Sequence, residues 1–186
     1  MPSTSPSTTA PTTATQEAPA PAGASPHAYG AGLLLLRLAL GLTMAAHGSQ
    51  KLFGWFGGGG IDGTGQFFTA SGYPAGDAMA VVAGLSEILG GLALAVGLFT
   101  PLAAAAIVGV MVNALAVTRG GGFFAPEGSE YELLLTAGAV ALALTGPGGY
   151  AVDRYLPVLR AHRLAYGAAA VVAGLLTAGV VLLLRK

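Results

Sequence analysis

Cysteine is absent from the 186 residues. Disulfides, thiolate metal sites and thiol redox chemistry within the chain are thereby excluded, and any sulfur chemistry belongs to a partner. Charge is almost as scarce: 9% of the residues are charged, where an ordinary soluble domain carries about 25%. Eight cationic and eight acidic side chains cancel, so there is no basic surface for nucleic acid. Histidine is rare too. His27 and His162 lie outside the apolar runs, which leaves His47 without an opposing axial ligand for a haem. No His and carboxylate spacing suits zinc, and no serine sits in a nucleophile elbow. What is present is apolar: 54% of the residues are hydrophobic, which points to a bilayer rather than water as the main solvent.

Residues 1–28 are almost entirely Pro, Ser, Thr and Ala. Such a composition cannot bury enough apolar surface to offset its ordering entropy, so it reads as a disordered tail. It makes a poor signal peptide, lacking a Lys or Arg before the apolar stretch and having Arg37 inside the would-be core.

Five apolar runs follow, at 29–48, 78–99, 102–118, 131–145 and 164–184. A helix needs roughly 20 residues to cross the hydrocarbon. Backbone groups in lipid must be satisfied internally, so the runs imply helices. None alternates apolar and polar with period two, which excludes a strand barrel. Thr100-Pro101 separates the second and third runs by a very short turn, making them antiparallel neighbours. Small residues recur at four-residue spacing, as in Gly41 with Ala45 and Gly91 with Ala95, and such pairs let helix backbones approach closely. The fold expected is an all-α polytopic transmembrane helix bundle.

Five crossings put the tail, the turn at Thr100 and residues 146–163 on one side. Segments 49–77 and 119–130 and the last residues fall on the other. Arg154, Arg160 and Arg163 form a compact cluster on the first side, which favours placing that side in the cytoplasm.

Arg37 and Glu87 each stand one residue before the centre of their run. Charges at that depth usually face the bundle interior and pair, so an Arg37–Glu87 ion pair is expected. Around the first helix, Lys51 lies about 40° and His47 about 80° from Arg37, giving a shared face. His47 and Lys51 then meet Trp55, Asp62, Tyr73, Asp77, Arg119, Glu127, Glu130 and Glu132 in a polar mouth, where His47 is able to exchange protons near neutral pH. Asn113 in the third run is expected to hydrogen-bond the Arg37–Glu87 pair or to serve as interhelical glue. GGGIDG at 58–63 fits G-x-G-x-x-G, but no strand precedes it, so it reads as a flexible loop rather than a dinucleotide fingerprint. Trp55, Phe56, Phe67 and Phe68 are expected to dip towards lipid from that loop.

LRLALG, HGSQKLFG, GIDGTGQFFTASGYP, SEILGGLALAVGLFTPLAA and GPGGYAVD, in that order, resemble the DoxX family of small bacterial membrane proteins over about residues 30–157. The resemblance implies a DoxX-like four-helix domain, taken here as 29–157, related to the small membrane subunit of thiosulfate:quinone oxidoreductase. Residues 158–186 then form a basic linker and an additional C-terminal transmembrane helix, a departure from the family pattern like the tail. The family's recurring polar residues fall on Arg37, His47, Lys51, Glu87 and Asp153.

The resulting expectation is a multi-pass protein of the bacterial cytoplasmic membrane that acts as a subunit or partner of a quinone-linked oxidoreductase. Arg37, His47 and Glu87 would be the catalytic residues, and Lys51 and Asn113 would help hold a quinone. In this reading Arg37 supplies a hydrogen bond to a quinone carbonyl and His47 a proton. The partners expected are the bilayer and redox-enzyme subunits. A small-solute or proton permease, and a non-catalytic scaffold, are the alternatives.

Overall fold

The computed structural model describes residues 25–124, 128–157 and 161–186. Among these residues the chain is all-helical. Helix α1 spans Pro26–Phe53, α2 Gly60–Ala70, α3 Gly76–Val96, α4 Thr100–Thr118, α5 Glu130–Thr145 and α6 Leu164–Leu183, with 3₁₀ turns at Trp55–Gly57 and Val152–Tyr155.

Two expectations are corrected at once. Helix α1 takes in the last three residues of the expected tail, because Ser25 caps it through its hydroxyl, 3.1 Å from the Ala28 amide, with Pro26 in the first turn. The tail before it lies outside the described residues. Residues 60–70, expected within a loop, are helical despite three glycines, each of which costs up to about 1 kcal/mol in helix propensity. Packing on α3 recovers this: a side chain at Gly65 would strike Asp77, and one at Gly76 would strike Gly65 and Thr69. Only glycine allows that approach.

Helices α1, α3, α4 and α6 are long and apolar enough to cross a membrane. At 16 residues α5 is shorter, about 24 Å. It nevertheless returns the chain from one end of the bundle to the other. Ala105 of α4 lies against Gly174 of α6, and Ala116 bonds Arg185 beyond the end of α6, so α4 and α6 run parallel and the helix joining them must run back. Helices α1, α3, α4 and α5 form a ring, with α6 packed outside against α4 and α5. The core inside the ring includes Leu40, Met44, Leu94, Ile107, Val108 and Leu142. Outward positions carry Leu35, Leu89, Leu134, Leu176 and Val180, an apolar girdle suited to lipid and not to water.

The register of α1 on α3 follows the small residues. A Cβ on Gly41 would sit 2.8 Å from the Ala95 nitrogen, one on Gly91 2.8 Å from that of Ala45, and one on Gly48 2.6 Å from the Gly84 oxygen. The two backbones are in direct contact, as small-xxx-small interfaces permit.

Candidate functional site

That register overturns the expected Arg37–Glu87 pair. Gly97, at the end of α3, lies against the Arg37 guanidinium, and Glu87 lies ten residues further back along α3, roughly 15 Å along the axis. The two charges therefore occupy different levels. Equal distance from the centres of two apolar runs is a poor measure of depth when α1 continues to Phe53 and slides about three turns along α3.

Arg37 belongs to one end of the bundle. It is fully buried, and its Nη2 donates to the Tyr150 carbonyl. Its Nε and Nη1 have no hydrogen-bond partner among the described residues. The nearby negative charge is Asp153, itself buried. Asp153 is committed to the tight turn between α3 and α4: Oδ1 accepts from the Phe99 amide at 2.7 Å and Oδ2 from the Thr100 amide at 2.9 Å. The Asp153 amide in turn donates to the Gly97 carbonyl at 2.9 Å. A carboxylate at a helix N-terminus meets unpaired N–H groups and the positive end of the helix dipole. It also holds Phe99 at φ 47°, a left-handed conformation unfavourable for a side chain of that size. This cluster folds the chain.

Glu87 instead pairs with Lys51, Nζ to Oε2 at 2.8 Å, with the carboxylate side chain 1% and the lysine 24% exposed. Lys51 is the residue on the shared α1 face that comes level with Glu87. His47, one turn earlier on α1, shares a hydrogen bond of 2.9 Å with the Tyr131 hydroxyl of α5. Glu132, next to Tyr131 in the chain, borders the same space, and its buried Oε2 has no hydrogen-bond partner among the described residues.

Among the described residues Asn113 hydrogen-bonds neither Arg37 nor Glu87. It lies near the far end of α4 from the Arg37 cluster. Its Oδ1 accepts from the Tyr73 hydroxyl at 3.1 Å, and its Nδ2 donates to the Gly109 carbonyl at 3.0 Å. It thus ties α4 to the loop between α2 and α3.

These groups surround a cavity of about 550 Å³, within the range of small-molecule sites. Its walls are mostly apolar, and His47, Lys51, Glu87, Asn113 and Tyr131 interrupt them. Of the residues singled out from sequence, His47, Lys51, Glu87 and Asn113 come together and Arg37 does not. Of the expected mouth, Tyr73 and Glu132 also border the cavity, and Glu127 lies outside the described residues. Phe68 turns inward, its ring 5.6 Å from that of Tyr73, whereas Trp55 and Phe56 are exposed as expected. Tyr131 was not singled out from sequence. Its signal was its place at the start of the fourth run, on the same side of the membrane as His47.

No curated protein and no solved structure gives a match to the chain. The model of one family does match, over residues 32–120, a stretch from α1 to just past α4 that contains Arg37, His47, Lys51, Glu87 and Asn113. Asp153, α5 and α6 lie beyond it. On that match residues 32–120 are similar to the DoxX family, and with four apolar helices able to span a bilayer the chain is a multi-pass membrane protein.

Proposed function

We propose that the chain is the quinone-binding membrane subunit, or membrane partner, of an oxidoreductase in the bacterial cytoplasmic membrane. The observation that carries this reading is the junction of an apolar cavity of about 550 Å³ with the His47–Tyr131 and Lys51–Glu87 pairs at one wall. A quinone is a flat apolar ring with two carbonyl acceptors. The pairs supply donors, and the walls supply a dry surface.

His47 and Tyr131 are each donor and acceptor, so either can turn an N–H or O–H towards a carbonyl while the other sustains it. Lys51 adds a cation within the same space, where charge developing on a carbonyl oxygen would be stabilised. Glu87 holds that lysine in place, Nζ to Oε2 at 2.8 Å. Complete reduction of a quinone takes up two electrons and two protons. The protons would pass through His47, whose ordinary titration range lies near neutrality, and the electrons would come from the partner enzyme. Arg37, outside the cavity, has no place in this scheme except through folding.

The test is titration of a tail-less benzoquinone into the full chain in lipid nanodiscs. His47→Phe and Lys51→Met should each weaken binding by about tenfold or more, the equivalent of losing one charge-assisted or well-aligned hydrogen bond. Undiminished affinity in both variants would remove the proposal.

A further inference from the structure

The cavity has a second part that the polar groups do not explain. Helices α3 and α4 meet closely near their shared turn, where a Cβ on Gly90 would lie 3.4 Å from the Ala106 methyl. Further on, Val82 and Ser86 of α3 and Val110 and Ala114 of α4 face a gap between the two helices. Helix α6 runs beside α4 on the outside, with Gly174 against Ala105 and Gly109. Helices α3 and α6 both pack on α4, and both contribute residues to the cavity lining. The result is an apolar groove floored by α4, walled by α3 and α6, and continuous with the space around His47, Lys51 and Glu87.

The aqueous end of this groove is strapped shut by residues next to α6. Arg185 donates from Nε to the Ser71 carbonyl at 2.7 Å and from Nη1 to the Ala116 carbonyl at 2.9 Å. Its guanidinium also lies 5.5 Å from the centre of the Tyr73 ring. The Lys186 amide donates to the Gly72 carbonyl at 2.9 Å. These bonds tie the loop between α2 and α3 to α4 and α6, while Phe67 and Phe68 of α2 border the same end of the cavity. Between α3 and α6 the lining residues Val82, Ala173 and Thr177 are exposed, and no such strap crosses them among the described residues.

We propose that this groove holds the hydrocarbon chain of a membrane amphiphile, which reaches the site sideways from the bilayer between α3 and α6 and places its head at His47 and Lys51. The form of the cavity carries the inference: polar at one wall, apolar along its length, tied closed towards water and open towards lipid. The identity of the head as a quinone rests on the function proposed above; the seating of the chain does not. In this arrangement α6, which lies outside the segment matched by the family model, forms one wall of the chain-binding groove.

The test compares two ligands on the full chain in nanodiscs, a tail-less benzoquinone and the same ring bearing a decyl chain. Ala173→Trp fills the groove from the exposed face of α6, and Thr177→Trp, one turn along, serves if the first variant does not fold. The bulky ring should weaken the decyl compound about tenfold, as expected when two or so methylenes lose their burial, and leave the tail-less compound unaffected. Equal effects on the two ligands, or no effect on the decyl compound, would overturn the groove assignment. If neither quinone binds the unaltered chain, the quinone reading fails by itself. A fatty acid carrying a diazirine on its chain then decides the groove. Crosslinks concentrated at Val110 and Thr177 support it, whereas labelling spread evenly over outward residues such as Leu85 and Leu176 overturns it.

Discussion

Asp153→Ala will cost the protein about 3–6 kcal/mol of stability, the sum expected for two hydrogen bonds to a buried carboxylate. The reasons are local. The alanine leaves the Phe99 and Thr100 amides, now bonded at 2.7 and 2.9 Å, without acceptors at the start of α4. Hydrogen bonds to charged groups are worth about 1.5–3 kcal/mol each. It also leaves the Arg37 guanidinium fully buried with its nearby counter-charge gone. Unfolding followed in mixed detergent micelles, together with the yield of folded protein from membranes, measures the loss. Asp153→Asn keeps one acceptor oxygen and should recover part of it. Arg37→Leu should be costly alone but less than additive with Asp153→Ala, since each removes a reason for the other. A loss below about 1 kcal/mol for the alanine variant, or strict additivity in the double variant, would show that the cluster does not hold this end of the bundle.

The second large effect concerns backbone contact. Gly48→Leu should prevent α1 and α3 from docking, because the new Cβ would stand 2.6 Å from the Gly84 oxygen and 2.8 Å from the Ile88 nitrogen. Overpacking costs typically about 1–3 kcal/mol when side chains can yield. Here main-chain atoms on both sides cannot, so the loss should reach or exceed the top of that range. Gly41→Leu, facing the Ala95 nitrogen at 2.8 Å, should behave alike. Gly32 and Gly179 provide the contrast, since a Cβ at either meets nothing within 4 Å. Leucine there should stay within about 0.5 kcal/mol of the parent, as ordinary surface substitutions do. Thermal melting of the four variants in one detergent separates the groups. Equal melting for Gly48→Leu and Gly32→Leu would contradict direct backbone contact.

Much of the architecture was readable from the residues because it depends on local rules. Long apolar runs without period-two alternation demand helices in lipid. Thr100-Pro101 marked a tight antiparallel turn, and the structure has α4 beginning there. The two ends of the bundle also gather the segments expected on each side. Helix α2 is not legible locally, since three glycines argue against a helix when propensity is considered alone. Its stability comes from an approach to α3 that glycine makes possible, and a contact between distant segments has no local signature.

The site was legible in its residue types and not in its pairing. His47, Lys51, Glu87 and Asn113 were all singled out, yet Glu87 was given the wrong partner. The small-residue pairs already recognised held the missing information. Setting Gly41 opposite Ala95 and Ala45 opposite Gly91 brings Lys51 level with Glu87 and Arg37 level with the end of α3.

By itself, then, the sequence determined that this chain is a helical bundle for a bilayer, and which polar side chains that bilayer must accommodate. Those facts follow from hydropathy, helix period and the expense of bare charge in hydrocarbon, all of which act within a single segment. The tertiary structure decided that Arg37 serves a folding cluster with Asp153, that Glu87 belongs with Lys51, and that α6 walls a groove reaching the polar site. Those outcomes depend on how far one helix slides along another, and that distance is set by the mutual fit of two surfaces rather than by the content of either one.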